Sequence, residues 1–222
     1  LGGTNTKIGL CNEEGKILHS SSIKTDSIHG VEDTLERIWL EIQKQLTEEK
    51  LTKEDLSGIG IGIPGPVKNQ SIVGFFANFP WEKNMNLKEK METLTGIRTL
   101  VDNDVNVIAQ GEAIFGAAKG HKSSITVALG TGIGGGIFVD GRLISGMTGA
   151  GGEIGHMKLV PDGKLCGCGQ KGCFEAYASA TGMIREALSR LYVNKLNALY
   201  EKFQGNYETL EAKDIFEAAA AG

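Results

Sequence analysis

From Leu1 to Thr25 apolar and polar residues alternate around Glu14-Gly15, a pattern that predicts a β-hairpin. Val31, Leu35, Ile38, Ile42 and Leu46 then recur at helical spacing, which predicts an amphipathic helix over Val31–Gln45. Ile59, Ile61 and Ile63 alternate with glycines as a strand, and Pro64-Gly65-Pro66 stops it. A short helix around Leu87–Leu94 leads to a strand ending at Val101. Asp102-Asn103-Asp104 follows and opens a helix through Phe115. A hairpin followed by βαβ units defines an α/β lobe.

A second start lies at Ser124. Ile125–Leu129 predicts a strand, Gly130-Thr131-Gly132 turns the chain, and Gly136–Val139 returns as another strand. Asp140-Gly141 is a strong hairpin signal, followed by Arg142-Leu143-Ile144. Leu1-Gly2-Gly3-Thr4 with its hairpin, and Leu129-Gly130-Thr131-Gly132 with its own, share one plan: a Gly/Thr loop, a strand, a tight turn and a strand. This predicts one lobe design used twice, an N-terminal lobe at residues 1–118 and a C-terminal lobe at 119–222, with the boundary near Lys119-Gly120. Leu210–Ala221 predicts a helix. The opening directly on Leu1-Gly2-Gly3-Thr4 and the stop at Gly222 read as a piece of a longer chain.

Composition narrows the function. The 222 residues include 32 glycines, roughly twice the usual share, but only 4 prolines and no G-X-Y repeat, so the chain is neither collagenous nor low-complexity. A net charge of -4 gives no basic footprint for nucleic acid or anionic lipid. No apolar run approaches membrane-spanning length, so no membrane association is expected. Three of the 4 cysteines crowd together as Cys166, Cys168 and Cys173, unlike a disulfide framework, which predicts a reducing, cytoplasmic setting.

Three clusters carry chemistry. Gly130–Gly135 matches G-x-G-x-x-G, but the dinucleotide fingerprint needs a helix after the loop, and here a strand and hairpin follow. Glycines and threonines in a β-turn can instead cradle phosphate through backbone N–H groups and hydroxyls, or they can merely make tight turns. Two such loops, one per lobe, suggest a nucleotide phosphate chain held between lobes. His156 with Cys166, Cys168 and Cys173 supplies three thiolates and an imidazole, the donor set of a closed and therefore structural zinc site. Cys11 reads as a small apolar residue on a hairpin strand, and His19, His29 and His121 as surface residues. Asp102-Asn103-Asp104 sits where a strand ends and a helix begins, the mouth of an α/β site. One of the three caps the helix, and an Asp there also stays ionised as a general base for a hydroxyl proton. Glu153 and Glu175, flanking the cysteine knuckle, suit several neighbouring hydroxyls, which implies a polyol such as a sugar.

These residues together resemble the ROK family of bacterial sugar kinases and related repressors. The resemblance rests on Gly2-Gly3-Thr4-Asn5-Thr6-Lys7, Asn103-Asp104, Leu129–Gly136, Glu153-Ile154-Gly155-His156 and Cys166-x-Cys168-Gly169-x-x-Gly172-Cys173-x-Glu175. It covers the whole chain in order, and the chain looks most like the glucokinase branch. The resemblance implies a two-lobed, actin-like, hexokinase-like (ribonuclease H-like) ATPase fold closing over ATP-Mg²⁺ and a hexose, with a structural Zn²⁺ knuckle. It implies that Asp104 takes the proton of the sugar 6-hydroxyl, and that Asn103, Glu153, His156 and Glu175 hold other hydroxyls, His156 also ligating zinc. Gly65 and Asn78 match sugar-pocket positions, and Gly3, Thr4, Thr131 and Gly132 match phosphate contacts. Two departures follow: the acidic residue that precedes Leu1 in the family and organises Mg²⁺, and the C-terminal part that completes the adenosine pocket, lie outside this sequence, so a chain of these limits is expected to be inactive. A homodimer is implied by the family alone. Glucose is the expected hexose. The alternatives are a kinase for N-acetylmannosamine, N-acetylglucosamine, fructose or allose, and a sugar-responsive transcriptional repressor.

Overall fold

The computed structural model describes residues 1–76 and 79–221. The chain runs β1 (Asn5–Cys11), β2 (Ile17–Lys24), α1 (Val31–Glu48), β3 (Ile59–Ile63), β4 (Val67–Lys68), β5 (Ile72–Val73), β6 (Met85–Asn86), α2 (Leu87–Thr95), β7 (Thr99–Asn103) and α3 (Asp104–Ile114). It continues with β8 (Ser124–Leu129), β9 (Ile133–Val139), β10 (Arg142–Leu143), α4 (Glu175–Ala178), α5 (Ala180–Leu191), α6 (Ala198–Phe203) and α7 (Ala212–Ala221). The fold is α/β, as the patterning predicts.

Two compact units emerge, one of Leu1–Thr126 with Gly136–Gly152 and the other of Val127–Gly135 with Glu153–Gly222. The contacts therefore do not divide the chain at a single point near Lys119-Gly120. The reason is packing between segments far apart in sequence: Gly136 and Gly149 return to the first unit, where a Cβ on Gly136 would lie 2.3 Å from the Ala109 Cβ and one on Gly149 would lie 2.3 Å from the Val67 oxygen.

In the first unit β1 and β2 pair antiparallel, Asn5 opposite Lys24, through the turn at Glu14-Gly15. β1 shows strict alternation, its even residues Thr6, Ile8 and Leu10 buried and its odd ones exposed. Cys11 points outward and is exposed rather than filling an apolar site, because it falls on the odd face of that alternation. α1 buries Val31, Leu35, Ile38 and Leu46 of the stripe read from the sequence, while its fifth member, Ile42, is half-buried. Gln45, fully buried on the same stripe, is satisfied by the Ile8 carbonyl at 3.3 Å and the Ser21 hydroxyl at 2.8 Å. His19 is half-buried between Glu48 and Glu49, with ring nitrogens 3.2 and 3.4 Å from their carboxylates, so it is tied down more than a free surface histidine.

β3 and β7 pair in parallel, Gly62 opposite Asp102 and Ile63 opposite Asn103. β7 runs two residues beyond Val101, because this ladder carries the Asp-Asn dipeptide to the strand's end. The small antiparallel sheet β4-β5-β6 escapes periodicity, since each strand has two residues. Phe76, Phe79 and Trp81 form an aromatic cluster with centroids 4.6 to 6.0 Å apart. β8, β9 and β10 form a sheet in the order β10-β9-β8.

In the second unit Cys166, Cys173 and Ala176 make a small core with Tyr177 packed on it. α5, α6 and α7 follow, with Leu191 and Leu210 buried. The Lys202 ammonium bonds the Asp214 carboxylate at 2.6 Å and so ties α6 to α7. Among the described residues no helix is long and apolar enough to cross a membrane.

Candidate active site

Each residue of the Asp102-Asn103-Asp104 run has a different task. Asp102 is buried at 9% exposure, and its carboxylate accepts from the Asn103 N–H at 2.7 Å, Asn106 Nδ2 at 3.0 Å and Gln110 Nε2 at 3.3 Å. Asn103 caps α3: its Oδ1 accepts from the Val105 and Asn106 N–H groups at 2.9 and 3.2 Å. Its Nδ2 donates to the Gly65 carbonyl at 3.2 Å, leaving one amide hydrogen for another acceptor. Asp104, half-buried, is the first residue of the helix, and one of its oxygens accepts the Val105 N–H at 3.0 Å. Its other oxygen has no protein partner among the described residues. Capping thus falls to Asn103 and frees Asp104. Sequence reading left the cap open among the three residues and did not single out Asp102, whose burial is the decisive signal.

Gly65 has φ +120°, and a Cβ there would lie 2.4 Å from the Phe75 carbonyl oxygen, so only glycine lets the turn pass and offer its carbonyl to Asn103. Asn78 lies outside the described residues. Gly3 and Thr4 are exposed in the first glycine loop, where the Thr25 hydroxyl donates to the Gly2 carbonyl at 2.6 Å and the Thr25 N–H to the Thr4 carbonyl at 3.0 Å.

In the second unit the donor atoms of His156, Cys166, Cys168 and Cys173 all lie within 4.8 Å of one another. The Cys168 and Cys173 sulfurs are 3.8 Å apart, and Cys166 Sγ is 3.7 Å from His156 Nδ1. Tetrahedral ligands at about 2.0–2.3 Å from a zinc ion would be roughly 3.3–3.8 Å apart, so these four residues could hold such an ion. The knuckle needs its glycines: Gly172 has φ +78°, and a Cβ there would fall 1.9 Å from the Val160 carbonyl oxygen. Burial pushes the Cys166 thiol up to about 12, helped by its contact with the Glu175 carboxylate at 2.9 Å. At Cys168 burial would also raise the value, but the Gln170 N–H, the neighbouring thiols and the Lys158 charge together hold it below the ordinary range. Lys158, which the sequence did not mark, also lies 3.7 Å from Cys173 Sγ and donates to the Lys171 carbonyl at 2.7 Å.

Glu153 and His156 flank a short 3-10 turn, with Glu153 Oε2 3.7 Å from His156 Nε2. The two ring nitrogens therefore face different neighbours, Nδ1 the cysteine cluster and Nε2 the carboxylate. Glu175 opens α4 at the knuckle's exit, and its Oε2 accepts the Ile133 N–H of the second glycine loop at 3.3 Å. A Cβ on Gly132 would lie 2.6 Å from that oxygen. Glu153, His156, Glu175, Thr131, Gly132 and the cysteines thus all belong to the second unit, and Gly3, Thr4, Gly65, Asn103 and Asp104 to the first.

The sequence profile of the ROK family matches residues 1–222. The chain belongs to the ROK family. It is 39% identical over 223 residues to the glucokinase of Thermotoga maritima, covering 100% of this chain and 68% of that protein. A ROK family glucokinase from Streptomyces griseus, solved with glucose and AMPPNP, superposes with a TM-score of 0.83 at 37% identity, over 100% of this chain and 70% of that one. A ROK family transcriptional regulator, a homolog of the E. coli MLC protein, gives a TM-score of 0.84 at 30% identity, over 100% of this chain and 55% of that one.

Proposed function

We propose that this chain carries the sugar-phosphorylating machinery of an ATP-dependent hexose 6-kinase, with glucose as acceptor and glucose 6-phosphate and ADP as products. The observation that carries the proposal is the Asp104 carboxylate, one oxygen of which has no protein partner among the described residues because Asn103 caps α3 in its place. In the reaction the sugar 6-hydroxyl gives its proton to Asp104 as its oxygen bonds to the γ-phosphorus, and the bond from that phosphorus to the ADP oxygen breaks. MgATP is the phosphoryl donor, and Gly3, Thr4, Thr131 and Gly132 are its phosphate contacts. Asn103, Glu153, His156 and Glu175 hold the remaining hydroxyls, with Gly65 and Asn78 completing the pocket. The two-lobed, actin-like and hexokinase-like architecture, the lobes at 1–118 and 119–222, a homodimer and a cytoplasmic setting belong to the same reading. Three unpaired thiols beside one imidazole suit a reducing compartment.

Zn²⁺ is the metal that suits three thiolates and an imidazole, and its place here is structural, since four protein donors leave no open position. When bound it would tie the segment bearing Glu153 and His156 to the start of α4, where Glu175 stands. With the ion bound, Lys158, 3.7 Å from Cys173 Sγ, would offset the net negative charge of three thiolates on a divalent ion.

A second reading, a sugar-responsive regulator, is favoured by the close superposition of the MLC homolog. The test separates them with the full-length protein, Mg²⁺ and ATP, scoring ADP release against glucose, mannose, fructose, N-acetylglucosamine and N-acetylmannosamine. Glucose turnover that falls about 10²–10⁴-fold in Asp104→Asn, with the KM for glucose within a factor of about three, is the expected result. Turnover on an acetamido sugar only would move the specificity. Sugar binding without turnover on any of the five would favour the regulator.

A further inference from the structure

The second glycine loop is held at four points by the segments on either side of the cysteine knuckle. The Gly130 carbonyl accepts the Ala180 N–H at 2.9 Å, and the Thr131 carbonyl accepts the Thr181 hydroxyl at 2.7 Å. The Ile133 N–H donates to Glu175 at 3.3 Å, and the Ile133 carbonyl lies against Gly155, where a Cβ would fall 2.1 Å away. The Gly130 N–H closes the turn onto the Gly132 carbonyl at 3.0 Å. Two backbone donors remain, the N–H groups of Thr131 and Gly132, and neither has a partner among the described residues.

Their direction follows from peptide planarity. In a trans peptide the C=O of one residue and the N–H of the next point opposite ways. Ala180 draws the Gly130 carbonyl toward the start of α5 and so turns the Thr131 N–H away from it. Thr181 draws the Thr131 carbonyl the same way and turns the Gly132 N–H away as well. Two successive N–H groups facing one side, with no acceptor, form a concavity that suits an anion. The first glycine loop repeats the device, with the Thr25 hydroxyl on the Gly2 carbonyl and the Thr25 N–H on the Thr4 carbonyl. In both loops a threonine hydroxyl and a backbone N–H take up two carbonyls.

We propose that Thr181 is a positioning residue for the nucleotide phosphates: its hydroxyl, outside the loop, sets the Thr131–Gly132 peptide so that its N–H faces the phosphate chain. The proposal rests on the reading of Thr131 and Gly132 as phosphate contacts. Thr181 is exposed and near-isosteric with valine, so Thr181→Val removes the hydroxyl with little change in packing.

The experiment compares full-length wild type, Thr181→Val and Thr181→Ser by calorimetric titration with MgATP, steady-state kinetics on glucose, and thermal unfolding. The expected result for Thr181→Val is an MgATP dissociation constant and a KM for ATP raised about three- to tenfold, the range one net hydrogen bond commands. The KM for glucose stays within about twofold, the melting temperature stays near wild type, and Thr181→Ser restores nucleotide affinity. Unchanged MgATP affinity in Thr181→Val overturns the proposal, and so does a loss that moves both KM values and the melting temperature together, which marks a purely structural role. A wild type that binds MgATP but leaves glucose unphosphorylated would defeat the glucose reading while the Thr181 shift still upheld the inference. A wild type that binds no MgATP would overturn both.

Discussion

Asp102 offers the sharpest test of how the strand end is built. Its buried carboxylate holds three donors, and one of them, Asn106 Nδ2, belongs to a side chain only 4% exposed. Asp102→Ala removes all three bonds. The Asn103 N–H and Gln110 amide are half-buried and can regain water, so each loses about 1–1.5 kcal/mol, while the Asn106 amide stays buried without a partner at about 1–3 kcal/mol. The total is about 3–6 kcal/mol. Asp102→Asn should behave differently, because the oxygen that accepts from Asn103 and Asn106 can be kept and the new amide meets Gln110, whose own amide can flip to accept. Its cost should be about 1 kcal/mol. Trp39 and Trp81 are the chain's 2 tryptophans and both lie in the first unit, so fluorescence-detected urea unfolding reads the right region. With a urea slope of about 2–3 kcal/mol/M, Asp102→Ala should lower the midpoint by about 1–3 M and Asp102→Asn by less than about 0.5 M. The same ordering should appear in turnover, since Asn103 and Asp104 sit on this frame. Equal and small shifts for both variants would refute the account, and equal large shifts would mean that charge, not the hydrogen-bond count, is what the site requires.

Other outcomes test the second unit. Zinc affinity of the full-length protein, measured by chelator competition, should rise steeply with pH between about 6 and 8, because bound thiol protons must leave when thiolates ligate; a flat profile would contradict the cysteine ligand set, and Cys168→Ser should lower the bound zinc well below one ion per chain. In the metal-free protein Cys166 is raised from the ordinary 9.0 to about 12, so the native state keeps a proton that the unfolded chain loses. Its contribution to stability is therefore present below pH 9 and lost as pH rises toward 12, which thermal melts in chelator should register. Gly155→Ala places a methyl 2.1 Å from the Ile133 carbonyl, a backbone atom that cannot swing aside, and should cost about 1–3 kcal/mol and weaken MgATP binding. A melting temperature within 1 °C of wild type would show that the loop yields there, as estimated from roughly 2–4 °C per kcal/mol for a chain of this size.

Where periodicity was long enough to speak, the sequence read well: the β1-β2 hairpin, α1 with its buried stripe, β3, α2, α3, β8 and α7 all stand near their expected limits. The two-residue strands β4 to β6 carry no period to read, and the six residues of α6 are too few for one, whereas α5 does carry a helical stripe in Met183, Ile184, Ala187, Leu188 and Leu191 that the sequence reading passed over. The packing of Gly136–Gly152 with the first unit was not legible for a related reason, since it depends on contacts with Val67 and Ala109 that are distant in sequence. The Cys₃His cluster was legible because cysteines two and five positions apart between glycines already fix a knuckle. Asp102 and Thr181 were not, because their weight comes from burial and from bonds to residues up to 50 positions away.

The two chemical regions share a design that explains why so few groups are left over for chemistry. At the strand end Asn103 takes the cap and the Gly65 carbonyl while Asp102 takes the side-chain amides of Asn106 and Gln110, which leaves Asp104 one oxygen unengaged among the described residues. At the second glycine loop Ala180, Thr181 and Glu175 take two carbonyls and an N–H, which leaves the Thr131 and Gly132 donors open. In each case neighbouring residues satisfy the backbone, so the open groups have fixed directions and no internal competitor. A free carboxylate oxygen accepts a proton, and free N–H groups receive an anion, which are the complementary needs of phosphoryl transfer to a hydroxyl. On the proposed roles of Glu153 and His156, a chain that only senses a sugar would require those hydroxyl ligands but neither of these open sets. Substituting Thr181 should then impair a kinase and spare a sensor, so nucleotide affinity in Thr181→Val bears on the choice between the two readings as well as on the loop itself.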